Sequence, residues 1–239
     1  MVILPFERLP LVEASVRITF RNQLPLGLAF IGDLYDLVRV DFELADDETL
    51  EPIPGTGFTF SQRSIEVATF NHRHHPGVSA KLQTQMLRAS WQKASDEGYP
   101  GYQKALLPVL QKLLGSIEKL IGKQEIQVIN MSYQNSITGI EPIGMTSFVQ
   151  LPIQIQLEGS LKSLEFVWSD HSQIDQRVHV QGIKSADELR VALTNVAAKR
   201  LQSNEEIWTT LELIHDTLCI NFRDSLTDRA KDEWGYGNS

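Results

Sequence analysis

The sequence contains a single cysteine, Cys219, among its 239 residues. One cysteine cannot form an intramolecular disulfide, and it cannot supply a cysteine-rich zinc site. The chain also has no apolar run close to the ~18 residues that a membrane-spanning helix needs, and its N-terminus has no signal-peptide pattern. These absences predict a soluble, cytoplasmic protein that has no membrane partner.

Basic residues are scarce relative to acidic ones, with 22 Lys and Arg against 30 Asp and Glu and a formal net charge of -8. This excess of acid counts against nucleic acid as a partner, although it is compatible with a local basic patch. The sequence signatures of serine hydrolases, P-loop enzymes, dinucleotide-binding proteins and zinc proteases are absent. We therefore predict no cofactor, and the sequence assigns no catalytic, cofactor-binding or metal-binding residue.

The hydrophobic pattern is that of a globular protein with both strands and helices. Residues 11–20 alternate between apolar and polar side chains, which predicts a strand with one solvated face. Apolar residues recur at helical spacing in three segments, residues 24–38, 102–121 and 203–234. Ser203 and Glu206 form a capping box that predicts the start of a long C-terminal helix. Pro108 predicts that the middle helix either kinks or begins near Leu107.

These elements predict an α+β fold of two lobes, each a mainly antiparallel sheet packed against helices. The N-terminal lobe spans residues 1–144 in the order β-α-β-β-α-β, and the C-terminal lobe spans residues 145–239 with strands and the long helix. The boundary lies in residues 136–144, which are rich in Gly and Pro. Asn22 is predicted to cap the first helix. Further strands are predicted at residues 58–70, 81–91, 125–134, 148–157, 161–168, 177–183 and 189–201. Residues 58–70 are either one strand or a strand pair broken near residues 61–64. Residues 189–201 have a helix as the alternative on propensity alone, and their alternation favours a strand.

Several short motifs follow one another along nearly the whole chain, at residues 10–13, 16–20, 82–88, 91, 99–102, 131–137, 211–216, 222, 226–227 and 233–235. In this order they resemble a sporadically distributed, uncharacterised family of bacterial and archaeal proteins of about this length. Two positions depart from the family pattern: His215 and Asp216 replace a more usual His-Glu pair, and Ser90-Trp91-Gln92 replaces Asn-Trp-Arg. The family has no established activity, so the resemblance supports the architecture and implies no reaction.

Three of the six histidines, His72, His74 and His75, lie within residues 71–77. Imidazoles in an extended segment can share a zinc ion. The same spacing fits a solvated hairpin tip, which we favour, and the sequence leaves a metal site there open.

The predicted C-terminal helix carries three further reactive side chains. Adjacent helical residues point about 100° apart, so we expect no hydrogen bond between His215 and Asp216. His215 is expected to be a border or core histidine with a backbone or carboxylate partner. Cys219 is expected to be a small buried residue.

Basic residues occur on or near the predicted strands at Arg8, Arg17, Arg21, Arg63, Arg73, Lys81 and Arg88. Aromatic residues lie in the same strand contexts at Phe70, Trp91 and Tyr133. A sheet face that combines cations with aromatic rings can bind RNA or a nucleotide by stacking. One alternative function is therefore an RNA- or nucleotide-binding sheet surface, and the other interpretation is a solvated face with interspersed charges.

Because no catalytic constellation is recognisable, the leading prediction is a non-catalytic binding or regulatory module. The patchy distribution of the family that the chain resembles favours an adaptor or a sensor in a bacterial accessory or defence system. The rival class is an enzyme, a metal-dependent nuclease or nucleotide-processing protein, with candidate residues Glu13, Glu66, Asp170, His171 and Asp175.

The predicted partner is another protein or a second copy of the chain. About nine short strands in open sheets leave unpaired edges that must be covered, charged or paired. Residues 148–157 carry no charge, and Pro152 suits an edge position because it donates nothing to a ladder. The alternative is that the N-terminal lobe covers this segment.

Overall fold

The computed structural model describes residues 9–45, 67–94, 98–138, 147–148, 150, 163–169, 173–184, 189–202 and 206–237. The strands of this part are β1 Leu11–Phe20, β2 Phe42–Leu44, β3 Val67–His72, β4 Val78–Gln83, β5 Met86–Gln92, β6 Ile126–Thr138, β7 Ser163–Ser169, β8 Ile174–Lys184 and β9 Leu189–Arg200. Its helices are α1 Leu28–Val38, α2 Tyr102–Ala105, α3 Leu107–Ile121, α4 Ile207–Ser225 and α5 Asp228–Glu233.

The strands form one sheet in the order β2-β3-β4-β5-β1-β6-β9-β8-β7. The strand pairs β2/β3, β3/β4, β4/β5, β6/β9, β8/β9 and β7/β8 are all antiparallel. This confirms a mixed fold with an antiparallel sheet. The sequence predicted one sheet in each lobe, whereas the structure has a continuous sheet because β1 lies between β5 and β6 and pairs with both.

The chain divides into two compact units, which we call the terminal unit (residues 1–16, 92–99 and 128–239) and the central unit (residues 17–91 and 100–127). The predicted boundary segment, residues 136–144, begins inside β6, and its residues 139–144 lie outside the described residues. The predicted lobes of residues 1–144 and 145–239 stay a prediction.

The core of the central unit forms on one face of its strands. Phe42, Phe70 and Leu82 have no more than 1% of their surface exposed, and Leu110 of α3 is equally buried. The prediction from Pro108 is confirmed, because α3 begins at Leu107 after the short helix α2, with proline in the first turn.

The first helix begins later than predicted. Helix α1 starts at Leu28 and its N-cap is Gly27, so the predicted start at residue 24 and the predicted cap Asn22 are wrong. Leu24 is buried, and its N–H donates to the carbonyl of Thr84 over 2.6 Å. This tertiary bond holds the chain outside the helix at that point.

Residues 81–91 form parts of two strands and not the single strand that the sequence predicted. Strands β4 and β5 are joined by a turn at Thr84 and Gln85. The turn contains none of the Gly, Asn or Asp residues that announce a tight hairpin. Its carbonyls accept instead from the N–H groups of Leu24 and Phe20, so contacts outside the hairpin stabilise it.

The predicted single helix over residues 203–234 is also wrong, because it is interrupted between α4 and α5. Leu226 is extended, and Thr227 caps α5 by accepting a hydrogen bond from Ala230 N–H. The backbone N–H of Thr227 donates to Phe148 O, and its hydroxyl donates to Ser147 O over 2.7 Å. These bonds stabilise an extended residue where the periodicity alone predicts continued helix.

Helices α4 and α5 contribute to the core of the terminal unit. Strand β9 has the strand conformation that the sequence predicted for residues 189–201. One apolar cluster of the described residues consists of Ile137, Phe148, Val180, Val191, Leu193, Phe222, Leu226, Ala230 and Trp234. Helix α4 begins at Ile207 with Glu206 in the N-cap position and no side-chain cap bond, so the predicted capping box that starts the helix at Ser203 is wrong. Ser203 itself lies outside the described residues.

Residues 148–157 were predicted to form an uncharged edge strand. Phe148 is buried and contacts Trp234 with ring centroids 5.9 Å apart. Gln150 N–H donates to Ser225 O, and the rest of the segment, including Pro152, lies outside the described residues. Among the helices of the described part, none combines the length and the apolar character that crossing a membrane requires.

Candidate functional site

A hydrogen-bonded chain of three side chains lies on α4. His215 and Cys219 are one helical turn apart, and Cys219 Sγ lies 3.5 Å from His215 Nε2. Asp216 Oδ1 lies 3.2 Å from His215 Nδ1. The expectation that His215 and Asp216 do not bond is therefore wrong, because their side-chain torsions bring the two groups together. The expectation of a buried histidine with a carboxylate partner is confirmed.

The protonation states of Cys219 and His215 follow from their surroundings. Burial raises the pKa of the Cys219 thiol to about 12, and the Asp216 carboxylate adds to the effect. Burial also lowers the pKa of His215, although Asp216 opposes that shift. A neutral imidazole that donates from Nδ1 to Asp216 accepts a hydrogen bond from the Cys219 S–H at Nε2, so one tautomer satisfies both bonds.

This arrangement lacks the properties of a catalytic thiol. A cysteine nucleophile needs a lowered pKa and access to substrate. Cys219 is 2% exposed and its pKa is raised, so its thiol is not a nucleophile. The hydrogen bonds among Asp216, His215 and Cys219 instead hold these side chains of α4 in place.

Further polar side chains are buried in the terminal unit. The Tyr133 ring lies 6.3 Å from His215 and 6.1 Å from Tyr99 between centroids. Asn135 is 1% exposed, and among the described residues neither its amide nitrogen nor its oxygen has a hydrogen-bond partner; the amide nitrogen of Asn195 also lacks one there. The periodicity of β6 and β9 gave no signal for these buried amides, since asparagine is usually exposed.

The histidine turn has a definite internal geometry. His72 Nδ1 accepts the backbone N–H of His74 over 3.1 Å, and the His72 ring lies 4.6 Å from the His75 ring. Burial, followed by the nearby His75, lowers the pKa of His72, while Asp41 opposes the shift. Within the described residues, no three or more His, Cys, Asp or Glu side chains are grouped to hold a metal ion. His74 and His75 are exposed, as expected for a hairpin tip.

Three of the predicted basic residues align across adjacent strands of the central unit. Lys81 and Arg88 are direct cross-strand partners in the β4/β5 hairpin. The register of β1 against β5 is set by Phe20 N–H, which donates to Gln85 O, and by Lys93 N–H, which donates to Val12 O. Counting inward from either bond places Arg17 opposite Arg88. We call Arg17, Arg88 and Lys81 the cationic row.

The cationic row lies on the face opposite the core of the central unit. Arg17 and Lys81 are exposed and Arg88 is half-buried, whereas their neighbours Ile18, Leu82 and Leu87 are fully buried. Thr69 is the partner of Lys81 on β3. Arg17 and Lys81 are thus accessible at the two ends of the row, whereas Ser90, on the same face of β5, is buried.

The other predicted basic residues have different roles. Arg21 pairs with Glu125 over 3.2 Å. Arg73 Nε donates to the carbonyls of Arg39 and Phe42, both over 3.1 Å, and so holds the turn after β3. Arg8 and Arg63 lie outside the described residues.

The aromatic residues predicted to stack on bases are buried. Phe70, Trp91 and Tyr133 expose 0%, 4% and 7% of their surfaces. In the central unit, Phe70 and Trp91 belong to the core face of their strands, opposite the cationic row. Phe70 and Trp91 therefore do not share a face with the cationic row.

The residues predicted for an enzyme are not brought together where they are described. Glu13 lies on β1 and accepts from Gln92, whereas Asp175 lies on β8 and accepts from Ser169. Strands β6 and β9 separate β1 from β8, a distance of about 14 Å at the usual strand spacing. Catalytic metal pairs lie only about 4 Å apart. Glu66, Asp170 and His171 lie outside the described residues.

Comparison of the chain with protein-family models found no matching family, and comparison with curated proteins found no match. The sequence identified Arg17, Lys81 and Arg88 as basic residues, but it did not show that they align. The alignment depends on the hairpin turn at Thr84 and Gln85, which places Lys81 opposite Arg88. The sequence did not predict a turn at these two residues.

Proposed function

We propose that the protein is a non-catalytic binding module that holds a protein partner on the sheet face of the central unit that carries the cationic row. The observation that carries this proposal is the cationic row, since a chain with a net charge of -8 presents three cations side by side on that face. Complementary charge across an interface raises the rate of encounter and selects the partner.

The buried chemistry of α4 supports a module without its own catalysis. The thiol of Cys219 is protonated and inaccessible, and the described acidic candidates Glu13 and Asp175 are far apart. The polar side chains that remain exposed on the cationic row suit recognition, because arginine and lysine bind carboxylates or phosphates without a chemical step.

The same proposal includes an adaptor role, membership of the uncharacterised family and a cytoplasmic location. The ordered motifs support the family, and they include Tyr99, Tyr133 and His215, whose rings lie near one another in the terminal unit. A single buried cysteine fits a protein that relies on no disulfide. Two lobes and a protein partner or homodimer complete the proposal.

Turnover and complex formation separate this proposal from the enzyme class. Purified protein is incubated with RNA, DNA or nucleoside triphosphates and a divalent metal, and in parallel is expressed in its native host and analysed by size-exclusion chromatography with light scattering. We expect no turnover and a stoichiometric complex or homodimer. Metal-dependent turnover that is lost in Asp175→Asn or Glu13→Gln contradicts the proposal, as does a protein that remains a monomer without a partner.

A further inference from the structure

We propose that the cationic row, Arg17, Arg88 and Lys81, binds the acidic face of a helix in the partner protein. This inference rests on the binding function proposed above and names the chemistry of the partner. The surface is one sheet face of the central unit, and complementary charge defines its occupant.

The spacing of the row fits the carboxylates of a helix. Adjacent strands lie about 4.8 Å apart, so the row from Arg17 through Arg88 to Lys81 spans about 10 Å across β1, β5 and β4. Residues i, i+4 and i+7 of a helix lie on one face and span about 10.5 Å. Alternate residues of an extended strand span about 13 Å for the same three positions. A helix that lies across the strands therefore matches the row more closely than an added strand.

The positions around the row carry no charge. On the same face of the central unit, the positions two residues away along each strand are Thr19, Ser79, Gln83, Met86 and Ser90. Ser90 is buried and its hydroxyl lies 3.3 Å from that of Ser79, and Thr69 extends the row beyond Lys81. A carboxylate at the row thus meets the exposed cations Arg17 and Lys81 and no neighbouring acid at these positions.

The register places the three cations next to one another. Lys81 faces Arg88, and Arg88 in turn faces Arg17. Arg17 and Lys81, at the two ends of the row, are the exposed members. An acidic partner therefore meets cations from adjacent strands on one face.

The same observations disfavour a nucleic acid as the occupant. Phe70 and Trp91 lie on the buried face, so the described row offers no rings on which bases stack. A long polyanion also extends beyond a row of about 10 Å and meets a molecule whose net charge is -8. An acidic helix, by contrast, covers the row without extending its charges beyond it.

Fluorescence anisotropy with a labelled, alanine-based helical peptide tests the inference. The probe carries glutamates at positions i, i+4 and i+7 of successive turns on one face, and its control isomer has the same composition with the glutamates distributed around the helix. The protein variants are the double variant Arg17→Gln/Lys81→Gln and the matched control Lys119→Gln, which neutralises an exposed lysine of α3 in the same unit. Circular dichroism establishes that each variant is folded.

We expect the probe to bind wild type and Lys119→Gln equally and the double variant about five- to tenfold more weakly. The difference should shrink as salt is added. Equal binding to all three proteins, no binding at all, or equal binding of the isomer overturns the inference. Tighter, row-dependent binding of oligo(dT) overturns it in favour of nucleic acid. None of these outcomes tests the binding module itself, which is tested separately by turnover and by complex formation with a native partner.

Discussion

Asn135→Val should stabilise the protein, because the wild-type amide is buried and forms no hydrogen bond within the described part of the chain. Asn135 is 1% exposed, lies opposite Leu193 on β9, and has no partner for its amide nitrogen or its oxygen among the residues that the structure describes. A buried polar group left unsatisfied costs about 1–3 kcal/mol. Valine removes that cost and suits a strand. We therefore expect the free energy of unfolding to rise by about 1–3 kcal/mol, which for a chain of this length raises Tm by about 2–10 °C.

Urea unfolding monitored by circular dichroism measures the change, with Asn130→Val as the matched control. Asn130 lies in the same strand but on the opposite face, where it is half-buried, so its replacement should change stability by no more than about 0.5 kcal/mol. A loss of stability in Asn135→Val, with the m-value unchanged, would refute the reasoning. It would mean that the amide is satisfied in solution and that the polar interior of the terminal unit is stabilising.

Three further predictions concern the histidines, the helix interruption and the aromatic core. The pKa values of His72 and His215 are lowered from 6.5 in the folded state, so the free energy of unfolding should be highest above pH 6.5 and fall as the pH drops below it. Urea unfolding at pH 7.5 and at pH 5.5 measures this difference in stability, and His72→Asn should reduce it. Thr227→Ala removes the cap of α5 and the bond to the 147–148 segment, so urea titration should show a loss of about 1–2 kcal/mol, and no loss contradicts the role of the cap. Phe222→Asp places a charge in the aliphatic and aromatic cluster beside Trp234 and should unfold the terminal unit; native-like tryptophan fluorescence in this variant would contradict it.

Local patterns predicted the elements whose structure depends on local periodicity. The alternation of residues 11–20 gives β1 with the predicted bounds, and Pro108 marks the start of α3 because proline fits only the first helical turn. The periodicity of residues 203–234 predicts both C-terminal helices but not their separation. That separation depends on bonds between Thr227 and residues 147 and 148, which are distant in sequence.

The candidate site was harder to predict for the same reason. Lys81, Arg88 and Arg17 become neighbours only when the register of three strands is known. The hairpin turn that fixes this register is stabilised by backbone bonds to Leu24 and Phe20 and carries no glycine signal. Burial of the aromatic rings likewise depends on which face of each strand the helices cover.

The most direct test of the central claim is capture of a partner from native-host lysate on three immobilised proteins: wild type, Arg17→Gln/Lys81→Gln, and Lys119→Gln. Quantitative mass spectrometry measures the amount of each protein retained per immobilised molecule. We predict that wild type and Lys119→Gln retain the same protein in stoichiometric amount, that this protein contains a helix with an acidic face, and that the double variant loses it. Equal retention by all three proteins, or a partner that has no such helix, would contradict binding through the cationic row.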